Sequence, residues 1–219
     1  MHDNGNLFSG TPTPSIELLT EGVTLLRAFC VEEAPALLDE IAAIDAAAPT
    51  RHLVVPGGHT MSVAMTNTGD YGWVSDRSGY RYTKDDPLTQ RPWLPMPPLF
   101  LSLARRAAEK AGFGEFTPNA CLINRYAVGA RLSLHQDKDE LDWTHPIVSV
   151  SLGLPATFLL GTLRRSDIPR RIRLEHGDVL VWGGPARLIY HGVAPIRGGT
   201  HPLTGVQRIN LTFRSVAAR

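Results

Sequence analysis

The sequence predicts an α+β fold, mainly β, with a double-stranded β-helix (jelly-roll) core and N-terminal helices that buttress it. Two amphipathic runs in the first half of the chain read as helices, and everything after Asn119 reads as short strand-like runs divided by turns. The last of these runs alternates polar and apolar residues without a break, as a strand between two different environments does. A chain of 219 residues that is 43% hydrophobic can close one sizeable core, and nothing in it suggests a second.

Residues 1–15 are polar, contain Thr11-Pro-Thr-Pro14, and read as a flexible N-terminal tail ahead of a single domain over 16–219. From Val31 to Ala48 the spacing places Leu37, Leu38, Ile41 and Ile44 on one helical face, with Glu32 and Glu33 near the positive helix start. A second helix is predicted over Pro98 to Ala111, with Leu99, Leu103, Ala107 and Ala111 apolar and Gly112 as its stop. Residues 50–97, rich in Gly, Pro, Thr and aromatics, hold possible strands at Thr60–Thr66 and Tyr80–Tyr82, and a stretch this irregular is expected to form a lid or binding loop. Residues 119–214 supply the jelly roll through CLINRYA, IVSVSLGL, TFLL, RIRLEHGDVLVWG, RLIYHGV and QRINLTFR, with Glu175-His-Gly-Asp178 expected as a hairpin turn.

Lys plus Arg number 22 and Asp plus Glu 21, so a charged partner must be met by a local patch, such as Arg105-Arg106 or Arg164-Arg165 with Arg170-Arg171. The N-terminus lacks the basic start and apolar stretch of a secretory signal, and no apolar run reaches membrane-spanning length. A cytoplasmic protein without a membrane partner is expected. Two cysteines, Cys30 and Cys121, fit small core residues in a reducing compartment.

The sharpest local signal is His135-Gln-Asp137. In extended chain, residues two apart project to one side, so both ligands can converge on one point. His191, after the strand-like Leu188-Ile-Tyr190, completes two histidines and a carboxylate, the donor set of non-haem iron that leaves positions open for a co-substrate and O2. The triplet by itself is common. Among the other histidines, His2, His52, His145, His176 and His201 have ordinary surface or turn readings, and His59 stays open.

The strand Arg208–Arg214 adds a second signal. Arg208, Asn210, Thr212 and Arg214 share one face, and Ile209, Leu211 and Phe213 the other. In Leu122–Tyr126, Asn124 and Tyr126 likewise point together. A barrel interior lined with guanidinium groups suits a small diacid, because arginine forms paired charge-assisted hydrogen bonds to carboxylates. Next to iron, that diacid reads as 2-oxoglutarate, with its distal carboxylate on Arg208.

The residues quoted so far, joined to Asn124-Arg-Tyr-Ala-Val-Gly-Ala-Arg-Leu-Ser-Leu-His-Gln-Asp-Lys-Asp-Glu140, Val181-Trp-Gly-Gly184, Tyr190-His-Gly192, Pro56-Gly-Gly58 and Met61-Ser-Val-Ala-Met-Thr-Asn67, resemble the AlkB family of nucleic-acid demethylases. The resemblance runs from about residue 20 to 214. It implies iron(II) on His135, Asp137 and His191, and 2-oxoglutarate on Asn124, Tyr126, Arg208, Asn210 and Arg214. It further implies that Met65, Trp73, Tyr80, Asp139 and Arg165 line or approach the substrate base, that 50–97 is a nucleotide-recognition lid, and that Trp182 packs near the metal. Two lid positions depart from the bacterial pattern: His59 replaces a tyrosine and Val55 a threonine, which bears on strand preference and affinity rather than on chemistry.

The reaction so implied is oxidative N-demethylation of 1-methyladenine and 3-methylcytosine in alkylated DNA, with RNA a further substrate. 2-Oxoglutarate and O2 are consumed, and succinate, CO2 and formaldehyde are released. Single-stranded DNA is the expected partner and a monomer the expected state. Flipping a base that cannot pair normally costs less than flipping a paired one. Three rivals are kept: an oxygenase acting on protein, lipid or a small molecule; a zinc hydrolase on the same ligands, which leaves the arginine face unexplained; and a jelly-roll binding module without iron.

Overall fold

The computed structural model describes residues 13–216. In chain order its elements are β1 (Ser15–Thr20), β2 (Val23–Arg27), α1 (Ala34–Ala47), β3 (Arg51–Val54), β4 (Thr60–Gly69), β5 (Gly72–Asp76), β6 (Gly79–Thr83), β7 (Asp85–Asp86), β8 (Arg91–Pro92) and α2 (Pro98–Lys110). There follow β9 (Ala120–Tyr126), β10 (Leu132–His135), β11 (Ile147–Gly153), β12 (Ala156–Leu160), β13 (Arg170–Leu174), β14 (Val179–Trp182), β15 (His191–Val193) and β16 (Arg208–Arg214). Most of the tail expected over 1–15 lies outside the described residues, and Ser15 already pairs with Arg27.

An eight-stranded sheet, in the order β1-β2-β14-β11-β16-β9-β4-β3, packs against a four-stranded sheet, β10-β15-β12-β13. Every residue of β11 and β16 is buried because the large sheet is covered on both faces. Its outer apolar face, with Val148, Val150, Ile209, Leu211 and Phe213, meets Leu37 and Ile41 of α1 and Phe100 and Leu103 of α2. Phe100 stands edge-on to Phe213 at 5.9 Å. Its inner face, with Leu122, Tyr126, Leu180 and Trp182, meets Phe158 and Ile172 of the small sheet. The helices therefore buttress one face of the sheet as their periodicity implies. Pro35 and Pro98 occupy first-turn positions where no N–H is missed, and Gly112, at φ +82°, ends α2.

Three local expectations are corrected. Glu175–Asp178 does turn the chain, but β13 pairs only with β12 whereas β14 pairs with β11 and β2, so the turn carries the chain from one sheet to the other and closes no hairpin. Leu188–Tyr190 is not strand: it follows a 3-10 turn at Gly184–Ala186, and His191 opens β15 instead of ending a strand. Residues 50–97 are more regular than their composition suggests, because β4 pairs with β9 along Ala64–Gly69 and β3 extends the sheet beyond it. Those hydrogen bonds come from residues far away in sequence, which local periodicity does not report. Strands β1 and β2 were not anticipated either: β2 is held by distant β14, and β1 pairs with β2 as a local edge hairpin. Among the described residues no helix is long and apolar enough to cross a membrane.

Candidate active site

His135 ends β10 and His191 opens β15, and the two residues are register partners on adjacent antiparallel strands. That pairing brings their rings to 4.4 Å. Asp137 lies two residues past the end of β10, with its carboxylate oxygens 3.6 Å from His135 Nε2 and 3.7 Å from His191 Nε2. One ligand atom from each of the three falls within 4.8 Å of the others. His135 Nδ1 donates to the Ser133 carbonyl at 2.8 Å, and His191 Nδ1 to the Ile189 carbonyl at 3.2 Å. With the proton fixed on Nδ1, each Nε2 lone pair is free to face the Asp137 side, the tautomer a metal ligand needs. Burial, then His135, bring the His191 imidazole down to about 4 against the pull of Asp137, so it is neutral at physiological pH. Burial alone would raise the Asp137 carboxyl. The Arg214 guanidinium, followed by the two imidazoles, outweighs that effect and holds it well below the usual carboxylate range.

These residues floor a cleft of about 890 Å³ that opens between the two sheets. Asn124, Tyr126, Arg208, Asn210 and Arg214 all line it, on β9 and β16, whose register sets Asn124 against Asn210 and Tyr126 against Arg208. Arg208 is 1% exposed. Its Nη2 donates to Ser151 Oγ at 3.2 Å, the Tyr126 ring lies 4.8 Å away, and its Nε and Nη1 have no hydrogen-bond partner. Among the described residues no carboxylate pairs with it. A buried guanidinium left unpaired is costly unless an anion completes it, so these residues fit the distal carboxylate of 2-oxoglutarate. Arg214 is placed differently: its Nη2 is 2.6 Å from Asp137 Oδ2 and its Nε 3.3 Å from Glu140 Oε1.

The mouth of the cleft holds the residues assigned to the base. Met65 is buried on β4, and Trp73 on β5 stacks on Tyr80 of β6 with ring centroids 5.6 Å apart. Trp73 Nε1 donates to Asp139 Oδ2 at 2.7 Å. Arg165 places its guanidinium 5.7 Å from the Tyr190 ring at the rim. Val55 and His59 flank a turn closed by Val55 N–H to the His59 carbonyl at 2.9 Å, and both line the cleft. Trp182 packs 5.0 Å from the His191 ring, so it lies beside the metal position. Three lining or supporting residues escaped the reading of the sequence. Tyr82 donates its hydroxyl to Glu140, and Arg187 Nη2 donates to Glu140 Oε2 at 3.1 Å. Nothing local marks Glu140 in Lys138-Asp-Glu140 or Arg187 in Pro-Ala-Arg.

The model of the 2OG-Fe(II) oxygenase superfamily matches residues 22–214. The alpha-ketoglutarate-dependent dioxygenase AlkB of Salmonella typhimurium is 56% identical over 206 residues, 94% of this chain and 95% of its own length. The protein of the same name from Escherichia coli is 54% identical over the same shares. Among solved structures, that of OsALKBH1 superposes with a TM-score of 0.81 at 27% identity, covering 92% of this chain and 100% of that one. With the match extending from β2 through β16 and the residues expected to hold iron and 2-oxoglutarate gathered in one cleft, the chain belongs to the AlkB family within the iron(II)- and 2-oxoglutarate-dependent oxygenases.

Proposed function

We propose that this dioxygenase repairs alkylated nucleic acid by oxidative demethylation of 1-methyladenine and 3-methylcytosine, with single-stranded DNA as its principal substrate. The observation that carries the reading is the stacked Trp73–Tyr80 pair and the Asp139 carboxylate standing at the mouth of the cleft that holds the His135, Asp137 and His191 triad. Bound iron(II) with 2-oxoglutarate would supply O2 activation and hydroxylation of the methyl carbon, after which formaldehyde leaves and the base is restored.

The chain's own residues bind, orient and shield. His135, Asp137 and His191 hold the metal, and Asn124, Tyr126, Arg208, Asn210 and Arg214 hold 2-oxoglutarate. A flipped cationic base stacks on Trp73 and the His135 imidazole over Met65, while Asp139 favours its positive charge. Tyr80 and Arg165 guide the strand at the rim, and Arg165 suits a phosphate. The chain acts as a monomer in the cytoplasm without an obligate protein partner.

Purified protein with Fe(II), 2-oxoglutarate and air, given an oligonucleotide carrying 1-methyladenine or 3-methylcytosine, yields unmodified base and succinate. Full turnover by His191→Ala would refute the triad, and succinate release without base repair would refute the substrate class.

A further inference from the structure

Asp137 belongs to no strand. It lies in the stretch 136–146 between β10 and β11, and outside the strand ladders none of the main-chain hydrogen bonds of residues 13–216 involves 136–145. Side chains must therefore fix it. Gln136 Nε2 donates to the Leu188 carbonyl at 2.6 Å. Arg187 does more: Nη1 donates to the Asp137 carbonyl at 2.7 Å, Nη2 to Glu140 Oε2 at 3.1 Å, and Nε to the His145 carbonyl at 3.0 Å. One guanidinium thus gathers both ends and the middle of the ligand-bearing segment, from a position four residues before the third ligand. Arg187 and Glu140 are each 3% exposed.

We infer that Arg187, neutralised by Glu140, is a positioning residue for the metal centre, which ties the Asp137 main chain to the turn that delivers His191. The inference rests on the ligand assignment proposed above. Its physical basis is directional: three N–H groups of a rigid planar fork leave the segment one arrangement in which all are satisfied, and the buried carboxylate makes that fork affordable. Glu140 also gives Arg214 a second partner, at 3.3 Å, when Asp137 turns its oxygens to a metal.

The test titrates Co(II), an air-stable substitute for Fe(II) read by its visible absorption, into the full chain. Arg187→Gln is expected to weaken Co(II) binding about 10- to 100-fold, the range for loss of a supporting contact to a ligand. Arg187→Lys, which keeps the charge and part of the donor set, falls between it and wild type. A folded Arg187→Gln with wild-type Co(II) affinity overturns the proposal. If that variant does not fold, Glu140→Gln decides, since it keeps the side-chain shape and removes the charge that holds Arg187: weaker Co(II) binding supports the proposal and unchanged binding overturns it. Wild-type protein that binds Co(II) no better than His191→Ala would instead refute the ligand assignment itself.

Discussion

Trp73 and Asp139 are joined by a 2.7 Å hydrogen bond from the indole N–H to the carboxylate, and Trp73 is the register partner of Tyr82, whose hydroxyl meets Glu140. Two consecutive acids beyond the metal ligand thus clasp a cross-strand pair of the β5–β6 hairpin. The outer link is exposed and the inner one part-buried, so the outer one is available for exchange with a substrate base.

From that difference follows the effect of Asp139→Ala. Loss of one charge-assisted hydrogen bond, about 1.5–3 kcal/mol, should lower kcat/KM on 1-methyladenine by roughly 10- to 100-fold. A neutral lesion should lose much less. Parallel kinetics on oligonucleotides carrying a cationic and a neutral lesion check this, and equal losses would remove charge recognition from the account.

Arg208 makes a less intuitive prediction. Because its guanidinium is buried without a carboxylate, Arg208→Met removes an uncompensated charge, and the melting temperature without 2-oxoglutarate should not fall. The KM for 2-oxoglutarate should rise about 100-fold, as expected for roughly 3 kcal/mol of lost ion pairing. Thermal melts with and without 2-oxoglutarate, beside steady-state kinetics, separate the two effects. A large drop in stability without 2-oxoglutarate would show that Arg208 serves packing.

Gly72 sets the base of the hairpin. A Cβ there would come within 2.3 Å of the Trp93 indole, which is 4% exposed and cannot swing into solvent freely. Gly72→Ala should cost about 1–3 kcal/mol by overpacking, read from the denaturant midpoint. Metal affinity should be unchanged, since Trp93 lies in a small separate cluster with Ala48 and Val74.

Acid sensitivity is expected away from the metal. The His176 and His201 rings lie 4.3 Å apart, tilted at 33°, and His176 Nδ1 accepts the Gly153 N–H at 3.0 Å. Burial, then the neighbouring His201, hold the His176 imidazole below its ordinary 6.5 despite Asp178, and burial does the same for His201. Both are therefore neutral in the folded chain over a range where the unfolded chain takes up protons. Their contribution is complete above the ordinary histidine value and is lost as pH falls below it. Urea midpoints at pH 7.5 and 5.5 should differ less in a His176→Asn, His201→Asn double variant than in wild type. An unaltered difference would dismiss the pair as the cause.

How far the sequence reached depends on where each contact originates. The alternation of Arg208, Asn210, Thr212 and Arg214 against Ile209, Leu211 and Phe213 is a local property of one extended strand, so the polar cleft wall and the apolar back were both legible. The helical face of α1 was legible for the same reason, with a period of 3.6 in place of two, whereas the buried face of α2 runs through Phe100, Ala104 and Ala108 beside the expected Leu103 and Ala107, and Leu99 and Ala111 are only partly buried. His135, Asp137 and His191 could be nominated from residue type and family pattern.

Tertiary structure alone decided the rest. Only pairing between β10 and β15 sets His135 opposite His191, and only the exchange of sheets at Glu175–Asp178 brings β13 and β14 to different walls of the cleft. Glu140 and Arg187 lie 47 residues apart and meet in the interior, where each becomes bearable because the other is there. A sequence determines which side chains a strand or helix presents together. It cannot show which distant charge will neutralise a buried one, because that depends on which surfaces the folded chain closes against each other.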